Sequence, residues 1–187
     1  EHVIVDEDLR LVVPLFPFDP ALPALQELLH PERALTLVHE ALPWEASGFN
    51  VHISIDVLRY RLERRCVVRF RDGRRKGERR TDACVAKVIR PTRVTALRHT
   101  LRLLGRSALV DFLPRTWGVD ENRGIHWMES VPAPSLHELL EAPAFVEGCQ
   151  ETARALRALH RLRPDGLPRY TVAEAVQSNL TAIMQFA

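Results

Sequence analysis

The chain has 187 residues, 46% of them apolar and 27% charged, with a formal net charge of +2. That length suits one large domain or two small ones and allows a core without disulfide or metal staples, and the composition is ordinary for a soluble globular protein. The small net charge implies no nucleic-acid partner by itself, and no apolar run approaches the ~20 residues of a transmembrane helix.

Residues 1–47 read as an N-terminal extension. A strand-like apolar stretch in VIVDEDLRLVVPLFPFDP is interrupted by Pro14, Pro17 and Pro20, which forbid a long regular element. The segment 21-ALPALQELLHPERALTLVHEAL-42 holds two short helical patterns divided by Pro31. Leu25, Leu28 and Leu29 share one helical face, and Leu35, Val38 and Leu42 share another. PWEASG, from Pro43 to Gly48, reads as a linker.

The period then changes. In 51-VHISIDVLRYR-61, Val51, Ile53 and Ile55 alternate with His52, Ser54 and Asp56, the mark of a half-buried strand. LERR is a turn, 66-CVVRFR-71 a second strand, 72-DGRRKGERRTD-82 a charged loop and 83-ACVAKVIR-90 a third strand. The run 93-RVTALRHTLRLL-104 is helical, with Val94, Leu97, Leu101 and Leu104 on one face and Gly105 suited to the stop. Two further strand-like runs, 113-LPRTWGVD-120 and 124-GIHWMESV-131, meet at the polar turn DENRG. Beyond Pro134 the pattern is helical throughout. Ser135 and Glu138 form a capping box, a long helix covers 145–162 and a last one covers 171–186. The fold class is therefore α+β: a five-stranded antiparallel sheet with one crossing helix, followed by the start of a helical lobe.

Three cysteines, Cys66, Cys84 and Cys149, lie far apart without zinc spacing or a disulfide framework. They read as reduced thiols of a cytoplasmic protein, with Cys66 and Cys84 as small core residues. The start, EHVIVDEDLR, is acidic and short of the apolar run of a signal peptide. Its first residue is Glu, so the chain reads as a fragment, a trimmed form or a renumbered one. The 26 basic residues include only two lysines. Lys76 lies in the charged loop, and Lys87 lies inside the apolar run 83-ACVAKVI-89. A compact ammonium does different work from a planar guanidinium. Lys87 therefore either meets an anionic partner or snorkels to water from an edge strand.

The order and spacing of 57-VLRYRLERRCVVRF-70, 84-CVAKVIR-90, 127-WMESVPAPSLHELL-140 and 153-ARALRALHRL-162 carry a resemblance. Together they resemble the protein-kinase-like fold, and within it the aminoglycoside phosphotransferase and choline kinase branch of small-molecule kinases. The likeness spans roughly residues 50–165. It implies a kinase-like first lobe over 48–131, with the hinge and first helices of a second lobe over 132–187. It also implies that Lys87 contacts the α and β phosphates of ATP. Met128 would border the adenine pocket, Glu129 would offer its carbonyl, and Val131 its N–H and carbonyl. On residues alone, this run reads equally well as an edge strand followed by a capped helix.

Three departures qualify the likeness. The turn Leu62-Glu63-Arg64-Arg65 has no glycine, leaving Arg64 and Arg65 as phosphate contacts or as solvated turn charges. The helix 92-TRVTALRHTLRLLG-105 has no acid to pair with Lys87. None of the eight histidines is followed two residues on by Asp, so the catalytic motif H-x-D-x-x-x-x-N is absent. The sequence offers no catalytic residue and no metal ligand, and the ligands of the Mg²⁺ that accompanies ATP are expected outside this chain. The expected function is the nucleotide-binding part of a phosphotransferase acting on a hydroxyl of a sugar, aminoglycoside or similar small polar metabolite. The alternative is a non-catalytic kinase-like binding or scaffold module. The basic loop 71-RDGRRKGERR-80 lacks aromatic interleaving and makes nucleic acid an unlikely partner.

Overall fold

Alternation of apolar and polar residues gives each strand of this protein one face to bury, and the N-terminal helices supply the cover. A computed structural model describes residues 3–6, 8, 10–42, 53–72, 82–131 and 133–162. Residues 73–81 of the charged loop, the linker PWEASG with residues 49–52 after it, and the last expected helix lie outside the described residues.

The apolar start is two strands rather than one. β1 (Val3–Asp6) and β2 (Leu11–Pro14) pair antiparallel as a separate two-stranded sheet. α1 (Leu25–Leu29) and α2 (Pro31–Ala41) follow, and Pro31 is the first residue of α2, where its missing N–H costs nothing. Ala34, Leu37 and Val38 are the buried side chains of α2.

The main sheet contains β3 (Ile53–Arg61), β4 (Arg65–Asp72), β5 (Asp82–Ile89), β6 (Thr116–Asp120) and β7 (Ile125–Met128). Every pairing is antiparallel and the spatial order is β3-β4-β5-β7-β6. Between β5 and β6 runs α3 (Val94–Leu104), entered through one 3₁₀ turn at Pro91–Arg93 and held to the β6–β7 turn by an ion pair between Arg98 and Glu121. The fold is thus the expected five-stranded antiparallel α+β arrangement with a crossing helix.

Cys66, Val68 and Phe70 of β4, Cys84, Ala86 and Val88 of β5, and Ile125 and Trp127 of β7 all point to one side. There they meet Leu22, Leu25, Leu28, Leu37, Val38 and Leu42. Half of the buried side chains in this cluster come from residues 22–42 and half from the sheet. The N-terminal segment is also tied near both edges of the sheet. The buried Asp19 carboxylate accepts hydrogen bonds from the Glu63 N–H at 2.8 Å and the Tyr60 hydroxyl at 3.0 Å. Near the opposite edge, Arg123 of the β6–β7 turn donates to Glu27 of α1 at 3.1 Å and to Asp120 at 3.1 Å.

A bulge in β3 controls which side chains face the opposite side. Val57 pairs with Val68, but the next pair is Arg59 with Val67. The extra residue reverses the alternation. Ile53 and Ile55 face the core before it, Tyr60 faces the core after it, and Arg59 and Arg61 turn to the open side.

The capping box forms as its residues require. The Ser135 N–H and hydroxyl donate to the Glu138 carboxylate at 2.6 and 2.7 Å, and the Glu138 N–H donates back to the Ser135 hydroxyl at 3.3 Å. No regular helix grows from it, and residues 136–141 are turns. Pro143 disfavours helical backbone at Ala142, and the run that remains is too short to repay nucleation. Regular helix begins with α4 (Phe145–Arg161), whose side chains are half-buried or exposed. Among the described residues no helix is long and apolar enough to cross a membrane.

Candidate functional site

With one face of the sheet covered by α1 and α2, the chemistry gathers on the other. Register assigns this open face residue by residue. Lys87 lies between Val67 of β4 and His126 of β7. Val85, two residues before Lys87, pairs with Met128. Lys87 and Met128 therefore share a face on adjacent strands, at a diagonal spacing of ~7–8 Å.

Lys87 is half-buried, on a central strand rather than at an edge. Burial lowers its pKa from the ordinary lysine value, and the positive charge of Arg65 lowers it further. It has no carboxylate partner among the described residues. α3 contributes none, as its sequence requires, and Asp111 is exposed in a 3₁₀ turn beyond it.

His126 is almost completely buried beside Lys87, and its Nε2 lies 3.0 Å from the Thr116 hydroxyl. Burial, reinforced by the Lys87 charge, pushes its pKa down to about 4. At neutral pH it is an uncharged imidazole. Sequence reading gave His126 no role, since its strand position alone reads as packing.

β7 ends at Met128. The Glu129 N–H donates to the Arg115 carbonyl at 2.9 Å, continuing the pairing with the β6 side for one more residue. Among the described residues no hydrogen bond engages the Glu129 carbonyl or the Val131 N–H, and Val131 is exposed. A strand end that leaves backbone groups unpaired beside a half-buried Met128 is a surface on which a flat heterocycle can hydrogen-bond. The four residues singled out from sequence thus fall on two neighbouring strands and the short segment that continues one of them.

The open face is basic. Arg59 and Arg61 of β3, Arg65, Arg69 and Arg71 of β4, and Lys87 all face it. Asp56 pairs with Arg69 at 3.6 Å and with Arg71. The Glu138 carboxylate of the segment after β7 is held below the ordinary carboxylate range, first by its bonds from Ser135 and also by Arg69.

The turn Leu62-Glu63-Arg64 is fixed from outside. Besides the bond to Asp19, Glu63 accepts from Arg90 through its carbonyl at 2.5 Å and its carboxylate at 3.2 Å, and it sits at a positive φ of 54°. No family model, curated protein or solved structure matches the chain.

A shallow cleft of about 320 Å³ lies between α2 and the β6 edge, lined by Leu37, Glu40, Gly118, Asp120 and Trp127 among others. It includes none of Lys87, Met128, Glu129 or Val131. Among the described residues no group of three His, Cys, Asp or Glu side chains is placed to hold a metal ion.

Proposed function

We propose that the protein is the nucleotide-binding part of an ATP-dependent phosphotransferase that acts on a hydroxyl of a small polar metabolite. The observation that carries this reading is the half-buried Lys87, which has no carboxylate partner among the described residues, on the same face as Met128 and beside a strand end where no described residue bonds the Glu129 carbonyl or the Val131 N–H. A buried ammonium without a carboxylate is costly, and a phosphate group would neutralise it. The strand order, with the lysine strand central and the hinge strand beside it, fits the kinase-like resemblance drawn from the sequence.

In this reading Lys87 binds the α and β phosphates. Met128 borders the adenine ring, while the Glu129 carbonyl and the Val131 backbone meet its edge. Mg²⁺ would neutralise the phosphate oxygens during transfer, with its ligands and the catalytic base supplied from outside this chain. The proposed setting is the cytoplasm, where the free, buried thiols of Cys66 and Cys84 stay reduced.

The test is calorimetric titration of the protein with ATP, with and without Mg²⁺. The expected result is Mg²⁺-dependent binding that weakens about ten-fold or more in Lys87→Ala, the scale of one charge-assisted contact. Unchanged affinity in that variant would overturn the reading. One observation favours a second reading, a kinase-like module without catalysis: α3 brings no carboxylate to Lys87. That module predicts either no ATP binding or binding indifferent to Mg²⁺.

A further inference from the structure

Two adjacent rows of the open face carry four cations and no acid. Arg61, Arg65 and Ile89 stand side by side in one row; Arg59, Val67, Lys87 and His126 stand side by side in the next. The neighbouring part of the same face is built differently. There Asp56 of β3 sits against Arg69 and Arg71 of β4 and pairs with both. Glu63, in the turn that joins Arg61 to Arg65, turns its carboxylate to Arg90 instead.

Arg61 and Arg65 are directly opposed across an antiparallel pair, where like charges repel. Arg65 and Lys87 are diagonal neighbours, both half-buried. Burial is the first cause that lowers the proton affinity of Lys87, and the Arg65 charge lowers it further. The placement is also specific. Arg59 and Arg61 reach this face only because the bulge after Val57 reverses the alternation of β3. Arg64, by contrast, is exposed in the turn and takes no place in either row. A sheet that gathers mutually repelling cations in one place and neutralises those next to them is arranged for an anion from outside.

We infer that Arg65 and Arg61 form, with Lys87, one site for a chain of two or three phosphates, with Arg65 as the second principal phosphate ligand. A planar guanidinium can meet two phosphate oxygens at once, while the ammonium serves as a point charge. The inference deepens the nucleotide reading and rests on it for the source of the polyphosphate, a nucleoside triphosphate. Inorganic tripolyphosphate presents the same chemistry without a base.

The experiment is calorimetric titration with sodium tripolyphosphate and, separately, with ATP. It uses the wild-type protein, Arg65→Gln, Arg61→Gln and Arg69→Gln, each checked for folding by circular dichroism and its urea midpoint. Wild type is expected to bind tripolyphosphate. Arg65→Gln should weaken tripolyphosphate and ATP alike by ten-fold or more, and the exposed Arg61→Gln should weaken both by a smaller factor. Arg69→Gln, in the acid-paired region, should change neither by more than two-fold. If Arg65→Gln does not fold, the Arg61→Gln loss set against the Arg69→Gln control decides. Tripolyphosphate binding that is lost in Arg65→Gln, with ATP no tighter than tripolyphosphate, supports this site and sinks the nucleotide reading. ATP binding that depends on Lys87 but not on Arg65 sinks this site and leaves the nucleotide reading standing. Absence of tripolyphosphate binding to wild type, or equal losses in all three arginine variants, overturns the site.

Discussion

Asp19 accepts a 3.0 Å hydrogen bond from the hydroxyl of Tyr60, 41 residues further along the chain. The same carboxylate takes the N–H of Glu63 at 2.8 Å and, through its other oxygen, the N–H of Ala21 at 3.0 Å. An acid in a proline-rich segment therefore fixes the turn that joins Arg61 to Arg65, and with it the position of those two cations. Phe16 adds an edge-to-face contact with the Tyr60 ring at 4.9 Å.

This relationship predicts a stability loss and a spectroscopic change. Asp19→Ala leaves the Tyr60 hydroxyl and the Glu63 N–H without their acceptor, at a cost of about 2–3 kcal/mol; Tyr60→Phe removes one bond and costs about 1 kcal/mol. Urea denaturation measures both. Burial and the Asp19 carboxylate together push the Tyr60 pKa up to about 12. Ionisation of Tyr60 is therefore resisted in the folded state, and the stability this gives is intact below pH 10 and lost as pH rises toward 12. Alkaline titration followed by tyrosinate absorbance should show Tyr60 ionising well above the ordinary value in wild type and closer to it in Asp19→Ala. An identical titration in the variant would contradict the role given to Asp19.

The N-terminal helices are predicted to be indispensable to the sheet. Leu28 is fully buried in the cluster shared by α1, α2 and the strands. Leu28→Ala should cost about 2–5 kcal/mol, the range for a large-to-small change in a packed core. Removing residues 1–42 uncovers Phe70, Val88 and Trp127 together and should yield a chain that aggregates or binds a hydrophobic dye. A soluble truncated chain with the urea midpoint of the whole protein would show that the sheet does not need this cover.

The strands were legible because their alternation is strict. Cys66, Val68 and Phe70 bury while Arg65, Val67 and Arg69 do not, and the same holds on either side of Lys87. The capping box was legible too, yet the helix expected behind it was not formed, because Pro143 limits the run. Two things had no sequence signal. The first is the bulge: continued alternation from Ile53 would put Arg59 toward the core and Tyr60 outside, and the extra residue between Val57 and Arg59 inverts both. The second is register. Spacing placed Lys87 and Met128 on separate strands, but only the pairing of Val85 with Met128 and of Lys87 with His126 puts them together. Asp19 was missed for a similar reason, since its partners are remote in sequence and nothing local marks an acid as an acceptor.

Gly124, at the end of the β6–β7 turn, should tolerate no side chain. Its φ is +70°, and a Cβ there would lie 2.2 Å from the carbonyl oxygen of Ile89. The Gly124 carbonyl meanwhile accepts the Ile89 N–H at 2.9 Å, so the two backbones cannot simply separate. Gly124→Ala carries about 1–2 kcal/mol for the left-handed conformation alone, and the collision adds to it. A loss above about 2 kcal/mol in urea denaturation is expected, within the range of ~1–3 kcal/mol for a strained backbone site. A neutral substitution would mean that β5 and the turn are free to move apart.

His126 predicts how the protein responds to acid. Its ordinary pKa is 6.5, and in the fold burial and the neighbouring Lys87 charge push it down to about 4. Below pH 6.5 the unfolded chain takes up a proton that the folded chain refuses until about pH 4. Stability therefore falls as pH is lowered through that window and levels off beneath it, by about 3 kcal/mol in all at about 1.4 kcal/mol per pH unit. His126→Gln keeps a hydrogen-bonding group opposite Thr116 and has no charge to refuse, so its stability should decline less steeply between those pH values. Urea midpoints measured at pH 7, 6, 5 and 4 for both proteins give the comparison. Parallel curves would mean that other groups set the acid limit and that the imidazole beside Lys87 is not the one the fold keeps neutral.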